Sequence, residues 1–360
     1  MRRVVITGMG IYSCIGKNLE EARTSLYNGI SGIVYDAERA EVGFRSLLTG
    51  MVEEPDLKKL LSRRQRMSLG EEGSYAYMAT IEALENAKID QAFLDENEVG
   101  VIYGNDSTAK AVVESNDKIR KKRDTTLVGS GAIFKAMNST ITMNLSTIFK
   151  LKGINLTISA ACASGSHSIG MGYHLIKSGA QDCIITGGAQ EINHLAMGSF
   201  DGLGVFAMRE DEPEKASRPF DTARNGLVPS GGGATIILES YESAVKRGAP
   251  ILGEIIGYGF SSNGGHISTP NVEGPATAMK RALEQAGVNP SEIDYINAHG
   301  TSTPLNDKYE TKSIKAALGE ENARKVAISS TKGTTGHGLG AAGGFETIAC
   351  VNALQSGIIP

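Results

Sequence analysis

Short, nearly unbroken apolar runs recur along the 360-residue chain, each followed by a segment of helical period. Val4–Thr7, Val99–Tyr103, Asn155–Ser159, Cys183–Thr186 and Ala234–Glu239 read as strands. Glu20–Tyr27, Tyr75–Asn86, Ile133–Leu151 and Ser166–Lys177 read as helices. Strands that are apolar at successive positions are covered on both faces. After Gly248 the alternation restarts, with strand Ile251–Phe260, helix Ala276–Ala286, strand Asp294–Ala298, helix Lys308–Leu318 and strand Val326–Ser330. Glycine-rich Gly336–Gly344 then leads into a last helix ending near Ser356. This pattern predicts an α/β fold with parallel strands, in two halves (1–248 and 249–360) without a low-complexity linker between them.

Composition narrows the function classes. A hydrophobic content of 41% suffices for a large core. The net charge of -4, from 36 basic and 40 acidic residues, gives no general attraction to nucleic acid. No apolar run approaches membrane-spanning length, and the start Met1-Arg-Arg-Val-Val-Ile-Thr-Gly8 is too short and glycine-broken for a signal peptide. Four cysteines without C-x-x-C spacing fit a reducing compartment, so a cytoplasmic enzyme is expected. Gly8-Met-Gly10 does not complete a dinucleotide fingerprint, because the next glycine is Gly16; a plain turn is expected there. Gly231-Gly-Gly233 precedes a strand, whereas a phosphate loop opens a helix.

Three strand-end segments carry the chemistry. In Ile158-Ser-Ala-Ala-Cys-Ala-Ser-Gly165 an apolar run stops at small residues and a helix begins, which would place Cys162 at a helix N-terminus. There the helix dipole favours thiolate, the nucleophilic form. A lone cysteine at such a place is more often packing, and that reading is kept for Cys14, Cys183 and Cys350. Asn297-Ala-His-Gly-Thr-Ser-Thr-Pro304 puts His299 just beyond a strand, and Ser330-Thr-Lys-Gly-Thr-Thr-Gly-His337 puts Lys332 and His337 around another. Each histidine alone could be a packed core residue or a helix cap. Together, three loops at carboxyl ends of strands are where open α/β sheets build sites.

With these motifs in this order, the chain resembles the β-ketoacyl-acyl carrier protein synthases, condensing enzymes of the thiolase superfamily, from Arg3 to its end. The Cys-His-His set differs from the Cys-His-Asn of initiating enzymes, and Ser31-Gly-Ile-Val, Gly43-Phe-Arg-Ser and Pro213–Pro219 look closer to the type I elongating enzymes. The resemblance implies a thiolase-like fold of two pseudo-duplicated halves in α-β-α-β-α layers, and decarboxylative condensation of an acyl thioester with malonyl-acyl carrier protein. Cys162 would carry the acyl chain, and His299 and His337 would stabilise the enolate. Lys332 would adjust their electrostatics, paired with Glu310. Thr301 and Thr303 would bind the phosphopantetheine arm, delivered by acyl carrier protein rather than held as a permanent cofactor. Phe200 would line the acyl pocket. Arg63, Arg64 and Arg66, or the run Lys118–Arg123 with Lys121, Lys122 and Arg123, would dock the acidic carrier protein. A homodimer is implied, with Gly104–Thr108 and the helix after Ile133 near the partner; no metal, nucleic acid or membrane is implied. A polyketide or specialised-lipid ketosynthase, a chain-length subunit or an inactive carrier-binding fragment are the alternatives.

Three departures stand against the family pattern. Asn306-Asp307 replaces Gly-Asp, with Asn expected to tolerate the left-handed turn. Arg224-Asn-Gly-Leu227 replaces Arg-Asp-Gly-Phe. The chain stops at Gly357-Ile-Ile-Pro360, where the family continues through a Gly-Phe-Gly-Gly loop that supplies an oxyanion N–H, so the sequence is expected to be incomplete at its C-terminal end.

Overall fold

The computed structural model describes residues 2–360. Among them ten strands follow in chain order: β1 (Val4–Ser13), β2 (Ile33–Tyr35), β3 (Leu48–Gly50), β4 (Val99–Gly104), β5 (Asn155–Ile158), β6 (Cys183–Gln190), β7 (Gly232–Ser240), β8 (Gly253–Ile255), β9 (Tyr295–Asn297) and β10 (Ala327–Ser329). The main sheet has the order β5-β4-β6-β7-β1-β8; β9 pairs with β10, and β2 with β3.

The expected strand direction needs correction. β4 runs parallel to β5 and β6, and β9 parallel to β10, but β7 is antiparallel to both β6 and β1, and β8 is antiparallel to β1. Unbroken apolar runs report burial on two faces, which β7 has as fully as β4; they carry no information on direction. Both faces are indeed filled. Val101, Ile185 and Ile237 join one core cluster, whereas their neighbours Ile102, Ile184, Ile236 and Leu238 join the other. Each such side chain, fully buried, stabilises the fold by about 1.5–3 kcal/mol.

The layers follow from these clusters. Helix Glu71–Asn86 packs on one face, against β1, β6 and β7. Helices Ser164–Ser178 and Ala342–Ser356 pack on the other face and against each other. The latter also reaches β9, and helices Glu273–Ala286 and Pro304–Leu318 pack together in the second half. The layers thus run helix, sheet, helix, sheet, helix.

Gly8 and Gly10 are not a turn. They lie within β1, where an added Cβ would stand 2.3 Å from the Ala83 carbonyl oxygen and 2.0 Å from that of Ala79. The strand therefore lies directly on the backbone of helix Glu71–Asn86. Gly257 and Gly259 repeat this arrangement in the second half, at 2.4 Å from the Ala282 carbonyl oxygen and 1.9 Å from that of Ala278. Only Gly253–Ile255 of the expected strand Ile251–Phe260 is ladder-bonded. The expected helix Ile133–Leu151 is two helices, Ala132–Lys135 and Thr140–Phe149.

Candidate active site

The loop that carries Cys162 begins where β5 ends. Ala161 takes a left-handed backbone (φ 50°), which costs an L-residue about 1–2 kcal/mol. Three hydrogen bonds hold this elbow. The Ala161 N–H donates to Asp106 Oδ1 (2.8 Å), the Ala160 N–H to Ser164 Oγ (2.8 Å), and Ser164 Oγ to the Ala161 carbonyl (2.7 Å). Cys162 follows, just ahead of helix Ser164–Ser178.

The second half supplies the imidazoles. His299 lies two residues beyond β9, and Glu310 fixes its loop by accepting the N–H groups of His299 and Gly300 (2.7 Å each). His337 is held at its backbone, its N–H donating to the Val228 carbonyl (2.7 Å) and its carbonyl accepting from Ser230 (2.9 Å). Its Nδ1 accepts the Leu339 N–H (3.2 Å), so the neutral ring carries its proton on Nε2. The Cys162 sulfur and one nitrogen of each histidine all lie within 4.8 Å of one another. The two rings meet edge to face, with centroids 5.1 Å apart and planes at 83°.

Electrostatics keep all three groups neutral. Burial, then the Lys332 charge, pushes His299 down to about 3; burial, Lys332 and His299 hold His337 well below the ordinary imidazole value. The expected thiolate is corrected. Burial pushes the Cys162 thiol up to about 11, against the opposing pull of Lys332, with Asp106 adding to the rise. Desolvation outweighs the helix start, so the resting form is the thiol.

Lys332 is 2% exposed, yet its partner is not the expected one. Its Nζ pairs with Glu346, from helix Ala342–Ser356, while Glu310 spends its oxygens on backbone N–H groups and on Asn306 Nδ2 (3.2 Å). Burial raises the pKa of both carboxyl groups. Asn306 is also corrected: it lies within helix Pro304–Leu318, and the residues of the loop with positive φ are Gly300 (38°) and Ser302 (68°).

A cavity of about 330 Å³ opens at Cys162, lined also by His299, Glu310 and Glu346 together with Tyr309 and Asn271. On its other side Cys162 borders an apolar cluster of Met197, Phe206, Leu227 and Leu339, against which Phe200 packs; the Phe200 and Phe206 rings stack 6.4 Å apart. Leu227, the departure from the family's phenylalanine, keeps this cluster apolar. Thr301 and Thr303 pair through their hydroxyls (2.9 Å), and Thr303 caps helix Pro304–Leu318. Neither threonine lines the cavity, nor does either basic run. Arg63, Arg64 and Arg66 sit on the short helix Arg63–Met67; Lys121, Lys122 and Arg123 are exposed at the end of helix Ala109–Lys122.

Sequence reasoning missed Asp106 and Glu346. For Glu346 there was a signal: it is the one carboxylate in the apolar helix Ala342–Ser356.

The models for "Beta-ketoacyl synthase, N-terminal domain" and "Beta-ketoacyl synthase, C-terminal domain" match residues 1–244 and 252–360. The 3-oxoacyl-[acyl-carrier-protein] synthase 1 of Haemophilus influenzae is 38% identical over 361 residues, which are 100% of this chain and 87% of that protein. A β-ketoacyl synthase from Burkholderia phymatum superposes with a TM-score of 0.92 at 34% identity, covering 99% of this chain and 86% of the other. The ketosynthase assembly AntDE:AntF, solved as a type II polyketide acyl-carrier protein in complex with its ketosynthase, superposes with a TM-score of 0.88 at 31% identity, covering 98% and 86%.

Proposed function

The chain belongs to the β-ketoacyl synthase family, and from that premise we propose that it condenses an acyl thioester with malonyl-acyl carrier protein in fatty acid elongation, giving 3-oxoacyl-acyl carrier protein. One observation supports this above the rest: the Cys162 sulfur from the first half and one nitrogen each of the neutral His299 and His337 from the second lie within 4.8 Å of one another, and Cys162 and His299 line one cavity.

The reaction begins with thioester exchange. The Cys162 thiol attacks the acyl carbonyl, and its proton leaves with the departing pantetheine thiol. The malonyl thioester then enters and loses carbon dioxide, leaving an enolate. The Nε2–H of His337 and the ring of His299 stabilise its oxygen, each as a neutral donor. Such fixed donors in a desolvated site act strongly on developing charge. The enolate carbon attacks the Cys162 thioester, the 3-oxoacyl product departs, and the released sulfur takes a proton from solvent. Burial, aided by the charge of Lys332, keeps both imidazoles unprotonated, and Glu346 pairs with that lysine; Glu310 positions the His299 backbone.

Acyl carrier protein is the proposed partner. The carrier-protein complex of AntDE:AntF supports this, as do the exposed residues Arg63, Arg64, Lys121, Lys122 and Arg123 and the half-buried Arg66. Its phosphopantetheine arm would enter the cavity past Thr301 and Thr303, and no cofactor would stay bound. A homodimer in the cytoplasm belongs to the same reading; among the described residues, no helix is long and apolar enough to cross a membrane. A polyketide role is the second reading, supported by the likeness to AntDE:AntF.

The test is carbon dioxide release from malonyl-acyl carrier protein with a fatty acyl primer. Wild-type protein should release it and form the 3-oxoacyl product, while His299→Ala and His337→Ala should load acyl groups but not decarboxylate. Absence of release from the wild-type protein would overturn the proposal; turnover with polyketide primers alone would favour the second reading.

A further inference from the structure

The elbow before Cys162 has a support that the condensing mechanism does not use. Ala161 holds a left-handed backbone without being glycine, and its N–H is taken by the carboxylate of Asp106. Asp106 lies two residues beyond β4, and its own backbone is fixed. Its carbonyl accepts Asn138 Nδ2 (3.1 Å) and Ser159 Oγ (3.2 Å), and Asn105 Nδ2 closes the circuit on the Asn138 carbonyl (2.9 Å). The Asn105 N–H continues the β4–β5 ladder by donating to the Ile158 carbonyl (3.0 Å). The carboxylate is therefore anchored from both β4 and the segment around Asn138, and it reaches the strained residue that sets the direction of the Cys162 side chain.

Resting on the reading of Cys162 as nucleophile, we infer that Asp106 is a positioning residue for acyl loading: its carboxylate clamps the Ala161 amide in its left-handed turn, and that bond holds its charge one residue from Cys162. The two effects are separable. The clamp needs only an acceptor oxygen. The charge disfavours thiolate, against Lys332; Glu346 acts in the same sense as Asp106, and the two imidazoles facing the sulfur are neutral. Clamp and charge together hold the sulfur in position and protonated until a thioester arrives.

Asp106→Asn keeps the acceptor and removes the charge; Asp106→Ala removes both. Acyl loading would be followed by intact-protein mass spectrometry with an acyl-N-acetylcysteamine thioester. Thiol reactivity would be followed with iodoacetamide from about pH 6 to 10, a range that brackets the ordinary thiol value, with the adduct mapped to Cys162. Asp106→Ala should load at least about tenfold more slowly, the loss of one charge-assisted hydrogen bond at the reacting loop. Asp106→Asn should load within about threefold of wild type, since the acceptor is kept, and its alkylation profile should move to lower pH. Ala161→Gly in the Asp106→Ala background should restore most of the loading rate, because glycine adopts the turn without support. A merely structural role would not be rescued in this way, and circular dichroism would confirm that each variant is folded. Loading by Asp106→Asn as slow as by Asp106→Ala, no rescue by Ala161→Gly, or an unmoved alkylation profile would overturn the inference. Failure of the wild-type protein to load Cys162 would instead overturn the nucleophile reading, and the alkylation profiles would still decide whether Asp106 acts on the sulfur.

Discussion

Replacing Lys332 by methionine is the most exacting test of the site's electrostatics. The change removes the cation and preserves most of the side-chain volume. Lys332 is buried, and the Glu346 side chain is only 20% exposed, so the carboxylate would be left without its partner in a desolvated place. Removing one member of a buried pair costs about 3–5 kcal/mol. With a urea m-value of about 3 kcal/mol/M, the unfolding midpoint should fall by at least roughly 1 M. Adding Glu346→Gln removes the orphaned charge, and the double variant should regain more than half of the loss. The pH dependence has a definite sign. Burial already raises the Glu346 pKa, and without Lys332 it rises further. A group with a raised folded-state pKa loses stability as pH climbs through that value, so the defect of Lys332→Met should shrink as pH falls. The imidazoles, released from the lysine charge, should titrate at higher pH, and decarboxylation should gain an acid limb that the wild-type enzyme lacks. Equal destabilisation of the single and double variants, or a defect that grows on acidification, would refute the reasoning.

Other outcomes can be checked alongside. Iodoacetamide labelling of Cys162 in the free protein should still be accelerating at about pH 9, since burial holds its thiol at about 11; a plateau below about pH 8 would contradict this. Glu310→Gln should destabilise the fold by about 2 kcal/mol in denaturant titrations, one charged acceptor being lost to backbone N–H groups, and should slow decarboxylation more than acyl loading. Phe200→Ala should shift the product distribution, read by mass spectrometry, toward longer acyl chains, because it opens the apolar cluster beside Cys162.

The sequence disclosed what local chemistry dictates. Cys162 and His299 each follow the end of an apolar run, and His337 lies in the loop after a third, so three strand-end loops sufficed to anticipate the cluster, although they come from two different sheets. The partner of Lys332 was not legible in the same way. Glu310 and Glu346 both lie on helices near its loop, and which one faces the ammonium depends on how each helix is rotated against the sheet. The state of Cys162 was misread because a helix start is visible in sequence, whereas the burial that overrides it is set by tertiary packing from residues distant in the chain, such as Met197, Phe206, Leu227 and Leu339. Asp106 escaped notice since its role exists only once β4 and β5 lie side by side.

The paired glycines, Gly8 with Gly10 and Gly257 with Gly259, have a consequence for tolerance to change. Each pair seats an alanine-lined helix at bare backbone distance, so the spacing in either half depends on no adjustable side chain. Sulfur and imidazoles arrive from separate halves, and their mutual distance inherits both spacings. Either half could drift freely in surface composition without detuning the other, whereas a single methyl group at Gly10 or Gly259 would be felt where the halves meet.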